Sequence, residues 1–305
     1  MGAPVVVLAG GTGGAKLARG MLDVAGEDLV VIANTGDDIE IHGAYVSPDP
    51  DLVTFWLADR IDERGWGLRD DTFAVMDGLR ELGVDVWFNL GDRDLAIGLR
   101  RAERLAAGAT LTETLAELGT ALGLRARVLP MADAPVRTRV LARGAWFDFQ
   151  EFMIRERGAG PVDGVEYRDV EAASPPAAAL EAIAAARAIV VGPSNPVISI
   201  RPILAVPGMA EALRASPAPV VGVSPVVGGA IVKGPTATFM AWLGQPLSPA
   251  GVAAAYDGVL DGMVADEPVD GLPHLVRDTL MSDAGARRRV AEATLSLAES
   301  LGSGR

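Results

Sequence analysis

The stretch LAGGTGGAKL, residues 8–17, closes a run of apolar residues (Val5, Val6, Val7 and Leu8) and opens onto GAKLARGMLDVAG, whose apolar residues recur at helical spacing. A short β-branched run buried on both faces, a glycine-rich turn and a helix are the first unit of a parallel sheet covered by helices. The turn matches neither common phosphate cradle. A Walker A loop needs Gly, Lys and then Ser or Thr, whereas Lys16 stands between Ala15 and Leu17. The fingerprint G-x-G-x-x-G, started at Gly11 and Gly13, would end on Lys16. Gly10, Gly11, Gly13 and Gly14 nevertheless permit positive φ and close approach to a ligand. Successive N–H groups leading into a helix start make a nest for an anion. The plainer alternative is a tight turn that holds nothing. Four glycines in five positions exceed what such a turn needs, so phosphate binding is favoured, with Thr12 adding a hydroxyl and Lys16 a cation.

The same plan recurs downstream. EDLVVIANTGDD is a strand ending in a polar turn, PDLVTFWLADRID and DTFAVMDGLRELG are amphipathic helices, and VDVWFNLGDRD reads as a third strand running into a polar loop. Asp70 or Asp71 is the expected cap of the second of those helices. IVVGPSNP and APVVGVSPVVGG restore the strand-then-turn pattern. The alternation predicts an α/β fold: a doubly wound, Rossmann-like, mostly parallel sheet with binding loops at the carboxyl ends of its strands. VRTRVLARGAWFDFQEFMIRERG alternates like an antiparallel hairpin around Gly144, and an Ala-rich helix follows Pro175 and Pro176. The expected division is a core from residues 1–128 and 187–268, a smaller inserted lobe over 129–186, and a C-terminal helical segment over 269–305.

Composition narrows the function. The 305 residues are 50% hydrophobic and 22% charged, which suits a globular chain with a real core. A net charge of -13 argues against nucleic acid, whose phosphates call for a basic face. A phosphorylated ligand would need local N–H groups, cations or a metal to offset that charge. The absence of cysteine excludes disulfides, zinc–thiolate sites and Cys nucleophiles, and suits a cytoplasmic protein. No segment approaches the roughly 20 apolar residues of a membrane span, and the start lacks a signal-peptide pattern.

Acidic side chains gather where strands end. Asp37, Asp38, Asp49 and Asp51, with His42 between them, follow the second strand, and Asp92 and Asp94 follow the expected third. One or two carboxylates together with phosphate oxygens are how Mg²⁺ is usually held. Helix capping is the competing role for Asp49, Asp51 and Asp92, although it does not explain two acidic loops beside one phosphate site. His42 and His274 read as structural. The rigid turn containing Gly192, Ser194 and Asn195 could present hydroxyl, amide and backbone groups to a base or ribose, and VSPVVGG is similar. No nucleophile elbow or kinase signature is present.

Taken in order, GGTGGAKL, NTGDD, SPDPD, LGDRD, LPMAD, GPSNPVISI and VSPVVGG resemble the 2-phospho-L-lactate transferase family of deazaflavin-coenzyme biosynthesis, called CofD in archaea and FbiA in actinobacteria. The resemblance runs over residues 5–234 and, more loosely, to DGMVADEP at 261–268. It implies Mg²⁺-dependent transfer of a phospho-organic-acid group, phospholactate or phosphoenolpyruvate, from a guanylyl diphosphate donor. The acceptor would be the ribityl hydroxyl of 7,8-didemethyl-8-hydroxy-5-deazariboflavin, with GMP released. On that resemblance Gly11, Thr12, Gly13, Gly14 and Lys16 would hold the diphosphate. Asp38 and Asp51 would contact Mg²⁺ or orient the attacking hydroxyl, with Asp49 and Asp92 beside the substrates. Gly192, Ser194 and Asn195 would receive the guanosine, and the family's habit implies a cytoplasmic homodimer. Asn89 departs from the pattern, because archaeal members carry a lysine there that contacts the deazaflavin.

Two other readings remain at this point. A related branch with a similar glycine-rich start binds nucleotide sugars in regulation of cell shape and carbon metabolism. A dinucleotide-dependent dehydrogenase would need the complete glycine fingerprint.

Overall fold

The computed structural model describes residues 2–232, 234–256 and 258–303. Its main sheet has seven strands: β1 (Val5–Ala9), β2 (Leu29–Ala33), β3 (Arg127–Pro130), β4 (Ala188–Val191), β5 (Val220–Val223), β6 (Gly262–Ala265) and β7 (His274–Val276). They lie in the order β7-β6-β5-β4-β1-β2-β3, and every neighbouring pair is parallel. The expected mostly parallel sheet is therefore wholly parallel. Val5 aligns with both Leu29 and Ala188, so β1, β2 and β4 run in step and their carboxyl ends fall within one residue of each other. The winding reverses between β1 and β4, and this switch point is where α/β proteins leave a crevice at the strand ends.

The two faces of the sheet explain the β-branched runs. Val6, Leu8, Val30, Ile32, Ile189 and Val191 point into one apolar layer. Val5, Val7, Leu29, Val31 and Val190 point into the other, against Leu17 and Met21 of helix α1 (Gly11–Ala25). The C-terminal helix Ala284–Gly302 closes that second layer with Val290, Ala291 and Leu295. Gly20 lets it cross α1 closely, since a Cβ there would lie 2.5 Å from the Arg287 carbonyl oxygen.

Three expectations need correction. The segment VDVWFNL is irregular and pairs with no strand. Its Phe88 and Leu90 fill a satellite core with Met76 and Leu95, which accounts for its apolar character without a sheet. The third strand is β3, a four-residue element whose first residue is Arg127. The C-terminal stretch is not helical alone, because β7 joins the main sheet ahead of the final helix. Finally, neither Asp70 nor Asp71 caps the helix α3 (Ala74–Glu81). The carboxylate of Asp92 accepts the Ala74 and Val75 N–H groups at 3.1 and 3.0 Å. Asp71 in turn accepts the Arg93 and Asp94 N–H groups of α4 (Asp92–Ala106). Each helix start is capped by an acid from the other's lead-in.

Between β3 and β4 the chain forms a three-stranded antiparallel sheet, with Arg137–Ala142 between Ala145–Asp148 and Val162–Arg168. Its hairpin turns at Arg143 and Gly144 as the alternation predicts. Among the described residues no single helix is long and apolar enough to cross a membrane.

Candidate functional site

The helix α1 starts immediately after β1, with Gly10 as the only link. A Cβ on Gly13 would lie 2.0 Å from the Pro193 carbonyl oxygen, and one on Gly14 would lie 2.7 Å from Ser194 Oγ. A Cβ on Gly10 would lie 2.6 Å from Ser199 Cβ and 2.7 Å from Asp49 Oδ2. Close packing at the switch point thus accounts for three of the four glycines, a reason the sequence did not disclose. Gly11 takes a φ of 58°, the left-handed value that favours glycine. Thr12 and Gly13 stay partly exposed in the first turn, whose N–H groups a helix cannot satisfy internally.

Carboxylates crowd against that turn. The helix α2 (Pro48–Leu57) carries Asp49 and Asp51 in its first turn. Asp49 Oδ1 accepts the Gly11 N–H at 2.6 Å, so an acid of the chain itself already occupies part of the α1 N-terminus. Its Oδ2 accepts from Asn34 Nδ2 at 2.9 Å, and the same amide donates to Asp37 Oδ1 at 3.2 Å. Burial pushes the Asp49 carboxyl up to about 6, against the lowering effect of the Asn34 and Gly11 donors. Burial and the neighbouring Asp49 and Asp38 hold Asp37 well above the usual carboxylate range. Asp38 is pushed up to about 7 by burial. Its Oδ1 accepts from Ser47 Oγ at 2.7 Å, while its Oδ2 is buried without a hydrogen-bond partner.

Arg101 completes the cluster. It lies on α4, only 3% exposed, and its guanidinium holds both oxygens of Asp51 and donates to the Tyr45 carbonyl at 3.0 Å. Asp94, on the same helix, is pushed up to about 7 by burial and by the negative charges of Asp51 and Asp71. The structure therefore gathers Gly11, Asp38, Asp49 and Asp51 into one connected site.

Other expected site residues are engaged elsewhere. Lys16 Nζ lies 3.3 Å from the Met281 carbonyl oxygen and 6.0 Å from the Trp56 ring. Trp56 is seven residues beyond Asp49 on α2. Ser194 donates to the Gly10 carbonyl at 2.5 Å and accepts the Gly10 N–H at 3.3 Å. Asn195 Oδ1 caps the turn Pro196–Ile200 by accepting the Val197 N–H at 2.9 Å. Gly192 packs with its would-be Cβ 3.1 Å from Gly14 Cα. Ser194 and Gly192 tie the β4 turn to the α1 start. Asp92 is occupied as a cap, and its donors Thr72 and Val75 lower its pKa. Asn89 Oδ1 accepts from Arg80 at 2.7 Å, which places a guanidinium beside the position where the family resemblance leads one to expect lysine.

The fit to Mg²⁺ is uneven. Among the described residues no three His, Cys, Asp or Glu side chains converge as a metal-binding set. The orphaned, desolvated Asp38 Oδ2 suits a cation that takes its other ligands from phosphate and water. Asp51 does not suit the role, because Arg101 already neutralises it. Two cavities flank this segment. One, of about 240 Å³, is lined by Asp37, Asp38, Arg137 and Arg168 among others. The other, of about 650 Å³, has Ala44, Ala102, Leu105 and Leu111 on its walls, with Tyr45 and Glu40.

Sequence reasoning missed Asn34 and Arg101. Asn34 opens the NTGDD motif, but the sequence reading gives a role only to its two acids. Arg101 carried a signal: it follows Leu95 and Gly98 on the buried face of α4, so a charged residue occupies an apolar position.

Comparison with known proteins bears on family and fold. The profile of the 2-phospho-L-lactate transferase family matches residues 5–277. A 2-phospho-L-lactate transferase of Methanosarcina mazei is 40% identical over 265 residues, covering 86% of this chain and 87% of that protein. A phosphoenolpyruvate transferase of Kitasatospora aureofaciens is 39% identical over 313 residues, covering 97% and 98%. A crystal structure of a UPF0052-family protein from Bacillus halodurans superposes with a TM-score of 0.67 at 18% identity, covering 97% of this chain and 99% of that one, a likeness of fold.

Proposed function

We propose, because this chain belongs to the 2-phospho-L-lactate transferase family, that it transfers a phospho-organic-acid group from a guanylyl diphosphate donor to the ribityl hydroxyl of 7,8-didemethyl-8-hydroxy-5-deazariboflavin. The observation that carries this reading is the meeting of the α1 N-terminus with Asp38, Asp49 and the Asp51–Arg101 pair at the switch point. Helix N–H groups and buried carboxylates at one crevice suit a diphosphate whose charge a cation offsets.

In this reading the ribityl oxygen attacks the phosphorus that carries the organic acid. A new P–O bond forms, the bond to the bridging oxygen breaks, and GMP leaves with that oxygen. The proton of the hydroxyl passes to solvent, since phosphoryl transfer of this kind relies on positioning and charge neutralisation more than on a strong base. The Thr12 and Gly13 N–H groups orient the diphosphate. Arg101 holds Asp51 rigid beside the crevice. Mg²⁺, when bound at Asp38, would neutralise charge developing on the phosphate oxygens. The 650 Å³ cavity has the size and apolar walls that a tricyclic ring requires.

Relatives named for two different acids are 40% and 39% identical to this chain, so identity does not choose the donor. Mass spectrometry of the products from deazaflavin, Mg²⁺ and each guanylyl donor tests both reaction and acid. The expected result is one mass gain matching either phospholactate or phosphoenolpyruvate, together with GMP. Unmodified deazaflavin with every donor would end the proposal.

A further inference from the structure

We infer that Arg137 and Arg168 form a carboxylate-binding site in the 240 Å³ cavity and read the acid end of the transferred group, an inference that rests on the donor chemistry proposed above. The small antiparallel sheet carries charged residues in rows across one face. In one row Arg139 stands opposite Asp148 on one side and Glu166 on the other, and pairs with them at 3.0 and 3.2 Å. Two residues along, on the same face, Arg137 stands directly opposite Arg168. Like charges directly opposite one another destabilise a strand pair. The complementary row beside it shows that this sheet matches charges elsewhere.

Neither guanidinium of the second row has a carboxylate within 4.0 Å among the described residues. Arg137 donates to the Val136 carbonyl at 3.1 Å and to the Tyr45 hydroxyl at 3.2 Å, leaving further donors of its five unused. Arg168 makes no side-chain hydrogen bond among the described residues. Both line a cavity that Asp37, Asp38, Glu40 and Asp148 also line; of these acids Asp148 is already paired with Arg139. At about 240 Å³ that cavity falls below the size of sites for ring-bearing ligands and suits a small group.

A carboxylate is the group that either acid offers, and paired guanidiniums match its planar oxygens. The donor phosphates are assigned to the α1 start and Asp38. A carboxylate bonded to the same phosphoryl group through a short carbon link would then reach the arginine row across the cavity.

Calorimetric titration of the full chain with phosphoenolpyruvate and with ethyl phosphate, each with Mg²⁺, tests this. The two probes share a phosphate, but only the first has a carboxylate. Wild type is expected to bind phosphoenolpyruvate about tenfold tighter or more, the worth of one charged hydrogen-bonding pair. Arg168→Gln, at an exposed position, and Arg137→Gln should each erase that preference while leaving GDP affinity unchanged, and Arg168→Lys should restore part of it. Equal binding of the two probes by wild type, an intact preference in Arg168→Gln, or an equal loss of GDP binding would overturn the inference. Turnover of the deazaflavin is read separately. Its absence alongside an intact carboxylate preference would sink the proposed reaction and leave this site standing.

Discussion

Replacing Arg101 by methionine should cost about 4 kcal/mol of stability, because it strands a charge rather than removing one. Arg101 is 3% exposed and Asp51 9% exposed, so the carboxylate left behind cannot recover its lost partner from water. Removing one member of a buried ion pair costs about 3–5 kcal/mol, and the Tyr45 carbonyl loses its donor as well. In a chain of this size that is roughly a 6 °C fall in Tm. The double variant Arg101→Met with Asp51→Leu removes both charges and should return to within about 1 kcal/mol of wild type, since apolar replacement of a buried pair is near neutral. Urea unfolding at pH 7, followed by tryptophan fluorescence, measures all three. Trp56 reports from α2 itself. Should the single variant cost under about 1 kcal/mol, or the double be no firmer than the single, the burial of this pair as a mutual dependency is wrong. Neither variant should turn over substrate, so stability separates the structural role from the chemical one.

Further expectations concern other elements. Asp94, held near 7 in the fold against an ordinary value of 3.8, contributes most stability below about pH 4 and loses it as pH rises through 7. Asp94→Asn should therefore stabilise the protein by about 2 kcal/mol at pH 8 and by little at pH 4, and a pH-independent effect in thermal melts would contradict the assignment. Gly13→Ala places a methyl group 2.0 Å from a backbone oxygen and should destabilise by about 3 kcal/mol, read as a lowered Tm; an unchanged Tm would mean the turn can open freely. Asp71→Ala should cost about 1 kcal/mol through the lost α4 cap, visible as faster hydrogen exchange at Arg93 and Asp94. Asp38→Asn should abolish any rise in Tm that Mg²⁺ produces with GDP present, and a retained rise would place the ion elsewhere.

Sheet strands were legible where burial on both faces left an unbroken β-branched signal, as in Val5–Ala9 and Leu29–Ala33. The signal misled where an apolar run served a local cluster, as with Phe88 and Leu90. It was too weak where a strand is short and begins with a charge, as at Arg127–Pro130. Clustering of Asp38, Asp49 and Asp51 followed from topology, because the sequence placed them after one strand and the fold fixes that edge. Their partners did not follow. Nothing in the order of residues shows that Asp51 is spent on Arg101, fifty positions away, or that Lys16 leans toward Met281. Pairings of that kind depend on helix orientation and are decided only in three dimensions.

The exchanged caps of α3 and α4 make two helices into a clasp with a shared fastening. Gly91 permits it, since any side chain there would drive into the Asp71 carboxylate. Neither helix start can be satisfied while the other is undone, so the segments flanking residues 71–94 must open and close in concert. The ledge that carries Arg80, Asn89 and Arg101 past the acidic crevice is thereby set as one body.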